Sequence, residues 1–177
     1  GGEDVAVDNE VELLKTNYKV ETLYFSNNIN QYLNQFISFI FNRNKKSEKR
    51  LKEKLNAFKP DIVYVHNTWF KASLGIFKIL ENYPAKVILK LHNFRYDCTR
   101  SFNTNNHLRN ALVCNACGLD KKSLGVFNKY FQESFIKSAL VNSYGKKYFK
   151  ILQNYNLKII VLTEFHKNYL KLVNYIE

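Results

Sequence analysis

Two of the four histidines in this chain close the same kind of segment. "DIVYVHNTWF" (Asp61 to Phe70) and "KVILKLHNFR" (Lys86 to Arg95) are short, apolar, β-branched runs that stop at His66-Asn67 and His92-Asn93. A third such run, "LKIIVLTE", stops at Thr163-Glu164. Imidazole and carboxamide offer both donors and acceptors, and imidazole also exchanges a proton near neutral pH. Three polar pairs of this kind suit a rim for a polyhydroxylated ligand. The plainer alternative is that each pair caps its strand. Cys98, Cys114 and Cys117 include one C-x-x-C, a spacing zinc favours, and His107 between them completes a Cys₃His set. That makes a candidate structural zinc site, with ordinary free thiols or a redox pair as the alternatives. Gly1-Gly2 stands directly before an acidic helical stretch, where backbone N–H groups and the helix dipole let an anion such as a diphosphate approach.

The elements that must position these groups can be read from periodicity. Residues 3–17 crowd acidic side chains into early turns, as a helix N-terminus favours. "YKVETLYFS" (Tyr18 to Ser26) alternates like a strand. "INQYLNQFISFIFNRN" carries apolar residues at helical spacing and runs on into "KKSEKRLKEKLNAF", a basic helix that Pro60 ends. Strand Asp61–His66, helix Lys71–Asn82, the breaker Pro84 and strand Lys86–His92 form a βαβ unit. An irregular stretch from Tyr96 to about Leu124 carries the cysteines. A helical region from Val126 to Asn154, the "LKIIVLTE" strand and a last amphipathic helix (Phe165 to Tyr175) complete the chain. The near-continuous apolar strands predict an α/β fold: a Rossmann-like, doubly wound parallel sheet flanked by helices. In such sheets ligands bind outside the carboxyl ends of the strands, where all three polar pairs are predicted to fall. No linker or repeat interrupts residues 1–177, so a single domain is expected.

The 177 residues suffice for a core without disulfides or metal, since a chain of this size buries roughly 70% of its unfolded surface. Its formal net charge of +12 points to an anionic partner surface: nucleic acid, phospholipid head groups or phosphorylated substrates. An odd number of cysteines and no apolar run approaching the roughly 20 residues of a membrane span predict a cytoplasmic protein. The chain contains no methionine, which predicts that it begins inside a longer protein or has been trimmed. A basic block, "NRNKKSEKRLKEK", following an aromatic helix, and lysines interleaved with Phe and Tyr in "FNKYFQESFIKSALVNSYGKKYFKIL" suit a helix in a membrane interface, with a peripheral position at the inner face of the plasma membrane.

The order of "GGEDVAVDNEVELL", "PDIVYVHNTWF", "VILKLHNFRYDC", "CNACGLD", "GVFNKYFQES" and "IIVLTEFHKNYL" resembles the N-terminal half of family 4-like glycosyltransferases, retaining sugar-nucleotide enzymes of the two-lobe GT-B architecture. The resemblance implies an acceptor-binding lobe whose first strand and whose donor-binding partner lobe are missing from this sequence, and hence a chain inactive alone. It implies that Gly1 and Gly2 lie near the donor diphosphate, with Thr163 and Glu164 also on the donor side. His92 is implied at the transferred sugar as the catalytic-site histidine. His66, Asn67, Asn93 and Arg95 are implied to shape the acceptor side. The donor is a nucleotide-sugar, no cofactor is required for the chemistry, and the acceptor is a glycan or lipid-linked glycan of cell-envelope polysaccharide synthesis. The family often has a fourth cysteine where this chain reads Tyr130, which cannot replace a thiolate. Two other classes are compatible with the composition: a basic nucleic-acid-binding module, which lacks any recognisable motif here, and a non-catalytic carbohydrate-binding remnant.

Overall fold

The computed structural model describes residues 2–25, 40–66, 68, 72–93 and 135–172. Helix α1 (Gly2–Lys15) is followed by α2 (Lys45–Phe58), β1 (Ile62–His66), α3 (Gly75–Glu81), β2 (Lys86–Leu91), α4 (Phe135–Asn154), β3 (Lys158–Val161) and α5 (Glu164–Leu172). The strands form one parallel sheet in the order β1-β2-β3. Ile62 pairs with Lys86, His66 with Lys90, and Leu91 with Val161. The chain is therefore an α/β protein with an open, three-stranded parallel sheet flanked by helices.

Side chains alternate across a strand, so each residue's face follows from this register. Val87, Leu89 and Leu91 point to one face and are 8%, 0% and 0% exposed. Val63, Val65, Ile159 and Val161 join them on that face. Leu51 and Leu55 of α2, Ile76, Phe77 and Leu80 of α3, Tyr144, Tyr148, Phe149 and Leu152 of α4, and Leu170 of α5 complete the core. The opposite face carries Tyr64, His66 and Lys90, and α1 meets it through polar groups.

Local signals set where α2 begins and ends. Asn44 caps α2 by accepting from the N–H groups of Lys46 and Ser47 at 3.1 and 3.2 Å. Lys59, left-handed at φ 50°, closes it by donating to the Leu55 carbonyl at 2.8 Å, and Pro60 follows. Ser73, also left-handed (φ 57°), accepts from the Asn44 N–H at 3.1 Å and so ties the start of α2 to the start of α3.

Three expectations change. Residues 18–25 form no ladder with any described strand; instead Leu23 and Phe25 pack on the core, Glu21 pairs with Lys54, and Arg50 lies over the Phe25 ring at 5.5 Å. Alternation records only that one side of a segment is covered; a strand also needs a neighbour to exchange hydrogen bonds. The basic helix does not continue from the preceding segment, because Asn42 (φ 50°) breaks the chain before the Asn44 cap. Helix α3 begins at Gly75 rather than Lys71, since the left-handed Ser73 cannot belong to a right-handed helix. The 29–39 part of the aromatic helix, the 96–124 stretch and residues 126–134 lie outside the described residues.

Candidate functional site at the carboxyl edge of the sheet

The parallel register sets the site. His66 is the last residue of β1 and faces Lys90, while His92 lies one step beyond the end of β2 on the same side as Lys90. His66 Nδ1 and His92 Nε2 are 3.0 Å apart, and the ring centroids are 5.3 Å apart. A hydrogen bond this short between two imidazoles needs a proton on one nitrogen and a lone pair on the other.

Beneath the pair sits Glu10 of α1. Its Oε2 accepts from the Tyr64 hydroxyl at 3.0 Å and lies 3.7 Å from His66 Nε2. Its other oxygen, Oε1, is paired with the Lys90 ammonium. Tyr64 stacks obliquely on His66 with centroids 4.3 Å apart. The Lys90 side chain is 11% exposed, His66 17% and Glu10 29%.

Burial alone pushes the Glu10 carboxyl upward, but the Lys90 and Tyr64 hydrogen bonds and the Lys90 and His66 charges outweigh it and hold it below the usual carboxylate range. Burial pushes His66 down. Glu10 opposes that shift, while His92 and Lys90 reinforce it. The Tyr64 hydroxyl is pushed well up by burial and by the Glu10 anion. Near neutral pH the cluster therefore holds an ionised Glu10 against Lys90 and a neutral His66.

Glu10 meets the carboxyl half of β1, whereas the chain leaving α1 puts Lys19 over Phe58, four residues before β1 begins, at 5.6 Å. Gly2, in the first turn of α1, lies about 12 Å along the helix axis from Glu10 at 1.5 Å per residue.

Of the residues singled out from sequence, His66 and His92 meet directly, and the half-buried Asn93 follows them. β3 ends at Val161, two residues before Thr163, and Thr163 and Glu164 instead start α5. Thr163 Oγ1 accepts from the His166 N–H at 3.1 Å as a helix cap, and the exposed Glu164 pairs with Lys167 at 3.1 Å. Gly1, Asn67, Arg95, Cys98, His107, Cys114, Cys117 and Tyr130 lie outside the described residues. Among the described residues no group of three or more His, Cys, Asp or Glu side chains could hold a metal ion, and no helix is long and apolar enough to cross a membrane.

Sequence reasoning missed Glu10, Tyr64 and Lys90. For two of them the signal was present: Tyr-x-His in β1 and Lys-x-His across the end of β2 place polar side chains two residues before each histidine, on the same face. An open recess lies at the opposite, amino edge, lined by Asp61, Ile62, Tyr83, Pro84, Ala85 and Lys86. There the Lys86 N–H donates to the Asp61 carbonyl at 2.9 Å, where the pairing of β1 with β2 begins. No family model, curated protein or solved structure matches the chain.

Proposed function

We propose that this chain is the acceptor-binding lobe of a retaining glycosyltransferase of GT-B architecture. In this reading it helps move a sugar from a nucleotide-sugar to a glycan or lipid-linked acceptor, and it is inactive without a donor-binding lobe. The observation that carries the reading is the His66–His92 contact at the carboxyl edge of two adjacent parallel strands, the edge where open α/β sheets take ligands. His92 acts on the acceptor hydroxyl as a positioning and polarising group, and His66 and Asn93 border it. Gly2, at the N-terminus of α1, suits the donor diphosphate. Retaining transfer of this kind asks the protein to stabilise the leaving diphosphate, for which positive groups serve.

A membrane-facing role accompanies the proposal. On α2 and its C-cap, Lys45, Lys46, Lys49, Lys52 and Lys59 are exposed, and the 70%-exposed Phe41 stands just before them. That combination suits docking on an anionic leaflet and gives access to a lipid-linked acceptor. Labelled transfer from a panel of nucleotide-sugars, using the full reading frame around this chain, tests the proposal. Transfer is expected from the full-length protein, with none from the 177-residue chain alone and a fall of 10²-fold or more in kcat for His92→Ala, of the order expected for a lost polarising group. Full-length protein that transfers nothing, while binding random oligonucleotides in a salt-sensitive way, would transfer the assignment to the nucleic-acid class.

A further inference from the structure

We propose that Glu10 is a positioning residue that fixes where the protons sit on the His66–His92 pair, so that His92 keeps Nδ1 as a hydrogen-bond acceptor. The hydrogen bond between the rings can be made in two ways. In one, His66 Nδ1–H donates to His92 Nε2. His66 Nε2 is then a bare lone pair facing the Glu10 carboxylate, and His92 becomes a donor at Nδ1. In the other, His92 Nε2–H donates to His66 Nδ1. His66 then carries its proton on Nε2, toward Glu10, and His92 is an acceptor at Nδ1.

An ionised carboxylate only accepts, and its other neighbours already obey that rule: the Lys90 ammonium donates to Oε1, and the Tyr64 hydroxyl donates to Oε2. Among the described residues, His66 Nε2 is the remaining group facing Oε2. At 3.7 Å it is too far for a hydrogen bond and close enough for the anion's field to decide between a proton and a lone pair. The field favours the proton. The choice then passes through His66 to His92, because each neutral imidazole carries one N–H. Three elements meet at this point, α1 with Glu10, β1 with Tyr64 and His66, and β2 with Lys90 before His92; the Lys90 ammonium opposes a proton on His66, but it is bonded to the far oxygen Oε1, while Oε2 faces His66 Nε2.

The chemical consequence concerns ligand class. A His92 that accepts at Nδ1 pairs with a ligand hydroxyl, whereas a His92 that donates there pairs with an anion. This last step rests on the glycosyl-transfer reading; the proton arrangement does not.

Long-range ¹H–¹⁵N correlation spectra of the histidine rings, recorded on the ¹⁵N-labelled chain at pH 7.5, test the arrangement without any enzymatic assay. His66 and His92 are both expected as Nε2–H tautomers. In Glu10→Gln the carboxamide N–H₂ can turn toward His66 Nε2 while its oxygen stays on Lys90. Both rings should then exchange tautomer, with the protonated and unprotonated nitrogen resonances trading places. Tyr64→Phe, which keeps the anion, should leave both tautomers as they are. An Nδ1–H tautomer on either ring of the wild-type chain, or unchanged tautomers in a folded Glu10→Gln chain, overturns the proposal. Should Glu10→Gln fail to fold, the wild-type tautomers alone decide. Failure here would leave intact any transfer activity found in the full-length protein, and loss of that activity would leave the tautomers intact.

Discussion

Removing the Glu10 carboxylate should destabilise the chain through what it leaves behind on β2. Lys90 lies in the middle strand with a side chain 11% exposed, and Glu10 is its partner across 80 residues of sequence. Breaking a fully buried ion pair by deleting one member costs about 3–5 kcal/mol, whereas an exposed pair is worth about 1 kcal/mol or less. Glu10 is 29% exposed, so water reaches it and screens part of the attraction, and the expected cost of Glu10→Ala lies between those limits, about 2 kcal/mol. Lys90→Met keeps the aliphatic stem packed and leaves Glu10 still bonded to Tyr64, so about 1 kcal/mol is expected. Glu10→Ala with Lys90→Met removes both charges, and should cost less than the two single changes added together. Urea unfolding of the four proteins gives the coupling, provided the slope with denaturant is unchanged. A coupling of about 1–2 kcal/mol is expected; a value below about 0.5 kcal/mol, the range in which distant sites add independently, would refute an energetic link between α1 and β2.

Two further outcomes follow from packing and burial elsewhere. At Gly75 an added Cβ would stand 2.2 Å from Glu48 Oε1, a carboxylate only 7% exposed and gripped by Arg43 at 2.8 and 3.2 Å. Gly75→Ala should therefore lose about 1–3 kcal/mol despite the better helix propensity of alanine, and the double variant with Glu48→Ala should recover most of it on thermal unfolding. His166 is 3% exposed, and burial pushes it down to about 4. The unfolded state then binds the extra proton first. Stability should be full above about pH 6.5 and fall by up to about 3 kcal/mol as pH drops toward 4, a slope that His166→Phe should flatten in denaturation curves taken across that range.

The βαβ unit was legible because its strands are β-branched runs bounded by Pro60 and Pro84, signals that depend on a few neighbouring residues. What the sequence did not reveal depends on distant partners or on single backbone angles. Residues 18–25 alternate as a strand does, yet their apolar side is covered by the core without a ladder, and periodicity cannot distinguish the two. The break before α2 rests on Asn42 at φ 50°, although Asn44 with Glu48 in the first turn was a readable start signal. Glu10 sits 54 residues from Tyr64 and 80 from Lys90, and nothing local to an acidic helix marks one of its carboxylates as the one that turns inward.

The His pair shows how a site can be half legible. Sequence placed each histidine at a strand end, which fixes its height along the sheet to within a residue or two. Whether two such side chains touch depends on register and on face. In this parallel pairing His66 opposes Lys90, so His92 stands two residues further along the same face and its ring can lean back over the end of β1. A slip of one residue would turn every side chain of β2 over, sending Lys90 and His92 to the core face and Leu89 and Leu91 toward α1. The burial of Leu89 and Leu91, both 0% exposed, forbids that slip. The core residues that hold the sheet together are thus also what bring His92 to His66, and the polar face acquires its geometry from the apolar one.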